Sequence, residues 1–277
     1  MKFLTYLQGN NGRPALARDD QVALDLLAAD SSLPFRWNEL FRQSDRIAEL
    51  AHRWLPDPGT GPVDVTQLEP PLFALSQVPL LPPILQPSKI IAVGLNYRDH
   101  AAEQGRPLPE APLLFAKAPS CLQRPTGPIV LAADLDRVDA EAELAVVIGK
   151  PGRAIPREHV REFIGGYMCF NDISDRTAQY ADKQWFRGKS IDTGGPCGPW
   201  IVTPDELPDL ATGLAITARW NDETMQSSNT DQLIFPVDEL ISYISRNMTP
   251  AARRYHLHRH PVRCGRLPGS ASFLASR

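Results

Sequence analysis

The chain has 277 residues with 43% hydrophobic and 22% charged content, an ordinary balance for a globular protein and enough to bury a sizeable core. A net charge of -3 gives no reason to expect nucleic acid or an acidic surface as partner. Four cysteines (Cys121, Cys169, Cys197, Cys264) are scattered without Cys-x-x-Cys spacing and indicate neither a disulfide framework nor a zinc site. No segment is apolar and long enough for a signal peptide or a membrane span, so a cytoplasmic enzyme is expected.

Residues 1–69 read as a small N-terminal unit. Met1 to Leu7 predicts a strand, Asp20 to Leu27 a short helix, and Trp37 to Leu55 an amphipathic helix carrying Leu40, Phe41, Ile47, Leu50 and Trp54 on one stripe. The run from Pro56 to Pro62 breaks that helix, and a proline-rich connector from Pro70 to Pro87 is expected to lie extended over the body. A larger unit over 70–250 follows. Lys89 to Gly94 predicts a buried strand, feeding a short helical turn that Gly105 closes. In that turn His100 and Glu103 are three residues apart on one face, and a carboxylate beside an imidazole suits a general base. An exposed ion pair is the competing reading.

Leu113 to Lys117 and Ile129 to Leu131 predict further strands, and Val138 to Gly149 a longer one. Strand alternation puts Glu141 and Glu143 of that segment on one side, with Asp139 beside them if the strand starts early. Like charges so placed repel unless a cation or proton intervenes, although Glu-x-Glu alone also suits a solvated strand face. Pro156 to Phe163 predicts a helix, ended by Gly165-Gly166. The next apolar run ends at Asp172, a third carboxylate able to reach the same point. Three carboxylates without nearby Cys or His point to Mg²⁺, Mn²⁺ or Ca²⁺. Lys189, after Gly188, could neutralise an enolate or carboxylate, or be a solvated loop cation. Two strands about a turn at Asn221 to Thr224 and a helix from Pro236 to Arg246 complete a β-rich α+β pattern without Gly-x-Gly-x-x-Gly or P-loop.

In order and spacing, Val93 to Glu103, Pro112 to Lys117, Val138 to Gly149, Gly166 to Gln179, Gln184 to Ser190 and Gly198 to Trp200 resemble the fumarylacetoacetate hydrolase family over roughly 89–248. The resemblance implies a mixed β-roll core, a homodimer, and Mg²⁺ or Mn²⁺ held by Glu141, Glu143 and Asp172. It also implies a His100–Glu103 catalytic dyad on a lid helix, with Lys189 and Gln179 contacting substrate. The implied activity is metal-dependent C–C hydrolysis of a small 2-oxo or 1,3-diketo acid, through an enolate. Isomerisation of 2-hydroxyhepta-2,4-diene-1,7-dioate type and oxaloacetate decarboxylation share that enolate and are the alternatives. Ala140 and Thr177 depart from the family pattern, where a bulky aromatic and an aspartate are frequent.

After Pro250 the resemblance stops, and residues 251–277 read as an aberrant tail. No acid follows Glu239, and half of the histidines fall at His256, His258 and His260. Read one nucleotide later, codons with suitable third bases for His258 to Gly265 would spell Thr-Gly-Thr-Pro-Ser-Gly-Val-Gly, the loop the family has here. The expectation is a frameshift between Met248 and His256, and resequencing the coding DNA tests it. The expectation is then a poorly ordered tail, unpaired core edges and, in the extreme, an inactive product that keeps only a metal-binding, dimerising fold.

Overall fold

A computed structural model describes residues 1–57, 61–250 and the backbone of 254–258. Its strands are β1 (Lys2–Gln8), β2 (Asn11–Ala17), β3 (Val22–Asp25), β4 (Leu72–Ala74), β5 (Leu80–Leu81) and β6 (Lys89–Gly94). Then come β7 (Leu113–Lys117), β8 (Leu122–Gln123), β9 (Val138–Asp139), β10 (Ala142–Ile148), β11 (Ile164–Asn171) and β12 (Ser174–Asp175). The last are β13 (Gly195–Pro196), β14 (Ile201–Val202), β15 (Ala215–Trp220), β16 (Glu223–Asn229) and β17 (Arg254–His258). The α-helices are α1 (Leu26–Ala29), α2 (Trp37–Leu40), α3 (Ser44–Trp54), α4 (Arg98–Glu103), α5 (Arg176–Ala181) and α6 (Val237–Asn247). The fold is a mixed, sheet-rich α+β architecture.

One sheet of 11 strands runs in the order β4-β3-β2-β1-β14-β11-β10-β17-β6-β7, with β5 beside β1. Residues 1–69 thus contribute strands to the same sheet as the residues that follow, joined where Lys2 and Phe3 of β1 pair Val202 and Ile201 of β14. Strand β10 shows why its sequence is continuously apolar from Leu144 to Ile148. Ala145 and Val147 face a core with Phe3, Leu40, Ile47 and Ile90, while Val146 and Ile148 face a second core with Tyr97, Val160, Val237 and Ile241. A strand covered on both faces needs no polar alternation.

Several local expectations change. Residues Val22–Asp25 are a strand rather than the start of a helix, because all four are buried between β2 and β4. The helix begins only after Asp25, whose carboxylate caps the backbone N–H groups of Leu27 and Ala28. The stretch expected as one helix from Trp37 divides into α2, a 3₁₀ turn at Phe41–Gln43 and α3. Its first part turns to set Trp37 and Phe41 edge-on against Phe3, while α3 buries Ile47 in the same core. Residues 129–131 are irregular rather than a strand, Ile129 and Leu131 resting on a small cluster around Val138 and Ile173. Gly165 and Gly166 lie inside β11 instead of ending a helix. A Cβ on Gly165 would meet the Gly149 Cα at 3.0 Å, so the absent side chain allows β10 and β11 to meet at their ends.

The expected unpaired core edges are filled. Backbone 254–258 forms β17, antiparallel to β10 and parallel to β6. The expected disorder at 251–253 and 259–277, including His260, lies outside the described residues.

Asp25 also locks the N-terminal strands. It accepts from the Tyr6 hydroxyl at 2.7 Å and from Arg13 through two bonds of 2.9 Å. Burial first, and then the Asp25 carboxylate, push the Tyr6 phenol well above its usual range. Asp25→Ala removes the cap and leaves Arg13 and Tyr6 without their acceptor. It should cost about 3 kcal/mol of stability in urea denaturation; a loss below about 1 kcal/mol would show that solvent replaces those bonds.

Candidate metal and active site

The site forms where the acidic segment leaves its strand. Chain pairing lapses at Ala140 and Glu141, between β9 and β10, so Glu141 and Glu143 do not sit on one unbroken strand as expected. Register brings in the third carboxylate. Ala142 pairs Asn171 across β10 and β11, and the next backbone bond runs from Asp172 N–H to Glu141 C=O at 2.8 Å. Ligand atoms of Glu141, Glu143 and Asp172 all lie within 4.8 Å of one another. All three side chains are buried.

Cations surround them. Lys189 donates to Glu141 and to Asp172 Oδ2, the latter at 2.7 Å. Lys117, at the end of β7, lies 2.5 Å from Asp172 Oδ1 and also donates to the Lys189 carbonyl. Arg176, the first residue of α5, bonds Asp139 and Glu141 and donates to Gln179 Oε1 at 2.8 Å. Burial works against charge on Arg176, but Glu141 and Asp139 outweigh it and raise its pKa. Lys117 behaves alike: burial opposes the ammonium, the surrounding groups, Asp172 foremost and with Glu141 among them, together outweigh burial, and its pKa rises. Desolvating ions costs several kcal/mol each, which only such close pairing offsets.

Four buried carboxylates (Asp139, Glu141, Glu143, Asp172) thus face three buried cations (Lys117, Arg176, Lys189), leaving one negative charge in excess. That excess, and a triad made only of hard carboxylate oxygens, fit a divalent ion of the Mg²⁺ or Mn²⁺ kind.

Helix α4 carries His100, buried at 2% exposure, and Glu103, which is exposed. The two therefore face different environments despite their spacing. Nε2 of His100 lies 3.0 Å from Nε2 of Gln104, whose N–H donates when the ring is the acceptor tautomer. Tyr97, just before α4, is buried. Burial first, then the negative charges of Glu143 and Asp99, push its phenol far above the usual range. The field of Glu143 therefore reaches the start of α4. Ala140 packs with Val138 and Ile173, and Thr177 donates to Asp136 at 3.0 Å, so both departures are accommodated locally.

Sequence reasoning overlooked Lys117 and Arg176. Lys117 closes an apolar strand, and Arg176 directly follows the helix-capping Asp175, whose carboxylate accepts from Thr177 and Ala178 N–H. A charged residue bounding an apolar element is the signal that was present.

The family model for the C-terminal domain of fumarylacetoacetate hydrolase matches residues 89–252, which span every residue of this cluster. The chain belongs to this family. Among its relatives is the mitochondrial oxaloacetate tautomerase FAHD2A of Bos taurus, 38% identical over 228 residues, covering 82% of this chain and 69% of the relative. Among solved structures it is similar to maleylpyruvate hydrolase from Sphingobium sp. SYK-6 in complex with manganese(II) and pyruvate. That match has TM-score 0.75 and 28% identity, over 96% of this chain and 91% of the other. It is also similar to 2-hydroxyhepta-2,4-diene-1,7-dioate isomerase from Mycobacterium marinum, with TM-score 0.71 and 26% identity, over 96% and 90%. Tautomerase, hydrolase and isomerase thus occur among proteins of this fold. Among the described residues, no helix is long and apolar enough to cross a membrane.

Proposed function

We propose that this fumarylacetoacetate hydrolase family chain is a Mg²⁺- or Mn²⁺-dependent enzyme that moves a proton on the carbon beside the ketone of a small 2-oxo acid. Keto–enol tautomerisation of a 2-oxo dicarboxylate of the oxaloacetate class leads this reading. The observation that carries it is the buried carboxylate triad ringed by Lys117, Arg176 and Lys189. Glu141, Glu143 and Asp172 would hold the ion. When bound, it supplies Lewis acidity that polarises the ketone and acidifies the neighbouring C–H bond.

The chain's own residues do the rest. Lys189, buried in the cluster, offers an ammonium to the oxygen on which negative charge develops. Gln179 and Arg176, bonded to each other, orient a substrate carboxylate. With the Gln104 amide turned so that its oxygen accepts from Nε2–H of His100, Nδ1 is the unprotonated nitrogen that takes the proton and returns it to substrate.

C–C hydrolysis is the second reading, favoured by the manganese and pyruvate in the maleylpyruvate hydrolase neighbour. It needs a base that activates water, and the exposure of Glu103 beside the buried His100 makes proton shuttling by the histidine the better fit.

The test follows decay of the ultraviolet band of enol oxaloacetate with Mg²⁺ or Mn²⁺, and after chelation with EDTA. Accelerated decay that EDTA abolishes and added Mn²⁺ restores is expected. Pyruvate release from acylpyruvates without enol decay would shift the assignment to hydrolysis. Metal binding without either turnover would leave only a metal-binding fold.

A further inference from the structure

The ribbon formed by β15 and β16 lies outside the main sheet and pairs only within itself among the described strands. Burial alternates residue by residue along β15, and one face of the ribbon turns inward. On that face Ala218 pairs Gln226 and Ile216 pairs Ser228 across the two strands. Gln226 is buried at 3% exposure although its neighbour Ser227 is exposed, as two-residue periodicity requires.

The two polar residues of this face reach the two halves of the site. Gln226 Oε1 accepts from the Ala142 backbone N–H at 2.7 Å, the amide lying between Glu141 and Glu143 in sequence. That amide sits where β9 has ended and β10 begins, so Gln226 supplies an acceptor from outside the sheet. Two positions on, the Ser228 hydroxyl donates to Asp99 Oδ2, while Asp99 Oδ1 accepts from the His100 backbone N–H at 2.8 Å. Beyond Ser228 the same run of chain continues to grip α4. Arg98 donates to the Leu233 carbonyl at 2.6 Å, and the Asn96 amide bonds the Phe235 backbone in both directions at 2.9 and 3.0 Å.

We infer that residues 226–235 are a positioning strap that sets the His100 helix relative to the carboxylate triad, with Gln226 holding the metal-ligand end and Ser228 the histidine end. Neither residue is assigned contact with substrate. The inference rests on the proposed proton transfer for its kinetic consequence, but its geometric content does not. A hydroxyl bonded to Asp99 and an amide bonded to the Ala142 backbone act on different halves of the site, so their effects should be separable.

The experiment compares Ser228→Ala, Ser228→Thr and Gln226→Leu with the unmodified chain. Three quantities are read: Mn²⁺ affinity by electron paramagnetic resonance of free Mn²⁺, hydrogen exchange of the Arg98–Glu103 amides, and kcat for enol oxaloacetate, with KM as the control. Ser228→Ala should raise exchange in α4 about tenfold and lower kcat about tenfold, with Mn²⁺ affinity and KM unchanged. Ser228→Thr keeps the hydroxyl and should recover both. Gln226→Leu should weaken Mn²⁺ about tenfold, as for other residues that orient ligands, with α4 exchange less affected. Ser228→Ala and Gln226→Leu variants that change all three quantities together, or none, would overturn the strap. If the unmodified chain binds Mn²⁺ without turning over oxaloacetate, the functional reading fails, while exchange and affinity still decide the strap.

Discussion

Glu141→Gln should lower Mn²⁺ affinity at least about 100-fold and metal-dependent turnover about 1000-fold, the largest functional effect of any single substitution in this chain. The amide is nearly isosteric, so shape is kept while the charge is lost. Glu141 is fully buried, with Arg176 on one oxygen and Lys189 on the other, so the loss falls on a group with no solvent to replace it. Two buried cations then share one carboxylate fewer. The metal-free variant should also be destabilised, by about 3 kcal/mol, a figure typical of breaking a buried pair. Ligand linkage separates the two effects. If the triad holds the ion, Mn²⁺ at 100 times its Kd should stabilise the unmodified chain by about 2.7 kcal/mol and raise its Tm by several degrees. Glu141→Gln should show almost no such rise. A variant whose Tm climbs with Mn²⁺ as steeply as the unmodified chain would remove Glu141 from the ligand set.

Gly188→Ala should disable the site without touching a charged group. A Cβ at position 188 would stand 2.7 Å from the Asp175 carbonyl oxygen, 2.7 Å from the Gln179 amide nitrogen and 3.0 Å from the Gln179 Cα. All three are backbone atoms, at the start of α5 and within it, so no side chain can swing aside. The Gly188 carbonyl is also tied to that corner, accepting from the Asp175 N–H at 2.7 Å. Relief must come from moving the loop, and Lys189 moves with it. Overpacking of this kind costs about 1–3 kcal/mol. A displacement of about 1 Å at a charge-stabilising group costs about 100-fold in rate. Steady-state kinetics and chemical denaturation check both. Gly9→Ala is the control: nothing lies within 4 Å of its Cβ, and at a φ of +58° only backbone strain of about 1 kcal/mol is expected, with turnover unchanged. Equal loss of activity in both variants would mean that stability, not the position of Lys189, is being read.

The candidate site was unevenly legible. Glu141, Glu143 and Asp172 stood out because acids in apolar strand segments conflict with the local pattern, and that conflict is visible without coordinates. Gly188-Lys189 was noticed as a pair, although nothing local showed that the glycine is what admits the lysine. The break between β9 and β10 was invisible, since Val138 to Ile148 alternates and branches like one strand. Its cause is partly distant: Gln226 captures the Ala142 amide from 84 residues away. Likewise Asp20 to Leu27 reads as a short helix, yet pairing of Val22–Asp25 with β2 and β4 prevailed over that local preference.

By itself the sequence determined the family, the β-rich class, the identity of the three carboxylates and the apolar strands that carry them. These are local properties, carried by residue type and short-range periodicity. Only the tertiary structure decided that Lys117 meets Asp172 across 55 residues, that Arg176 neutralises Asp139 and Glu141, and that His100 is buried while Glu103 is not. It alone seated 254–258 between β10 and β6. Which charges become partners depends on register and on which faces the sheet covers, and both follow from global packing that no short window of residues encodes.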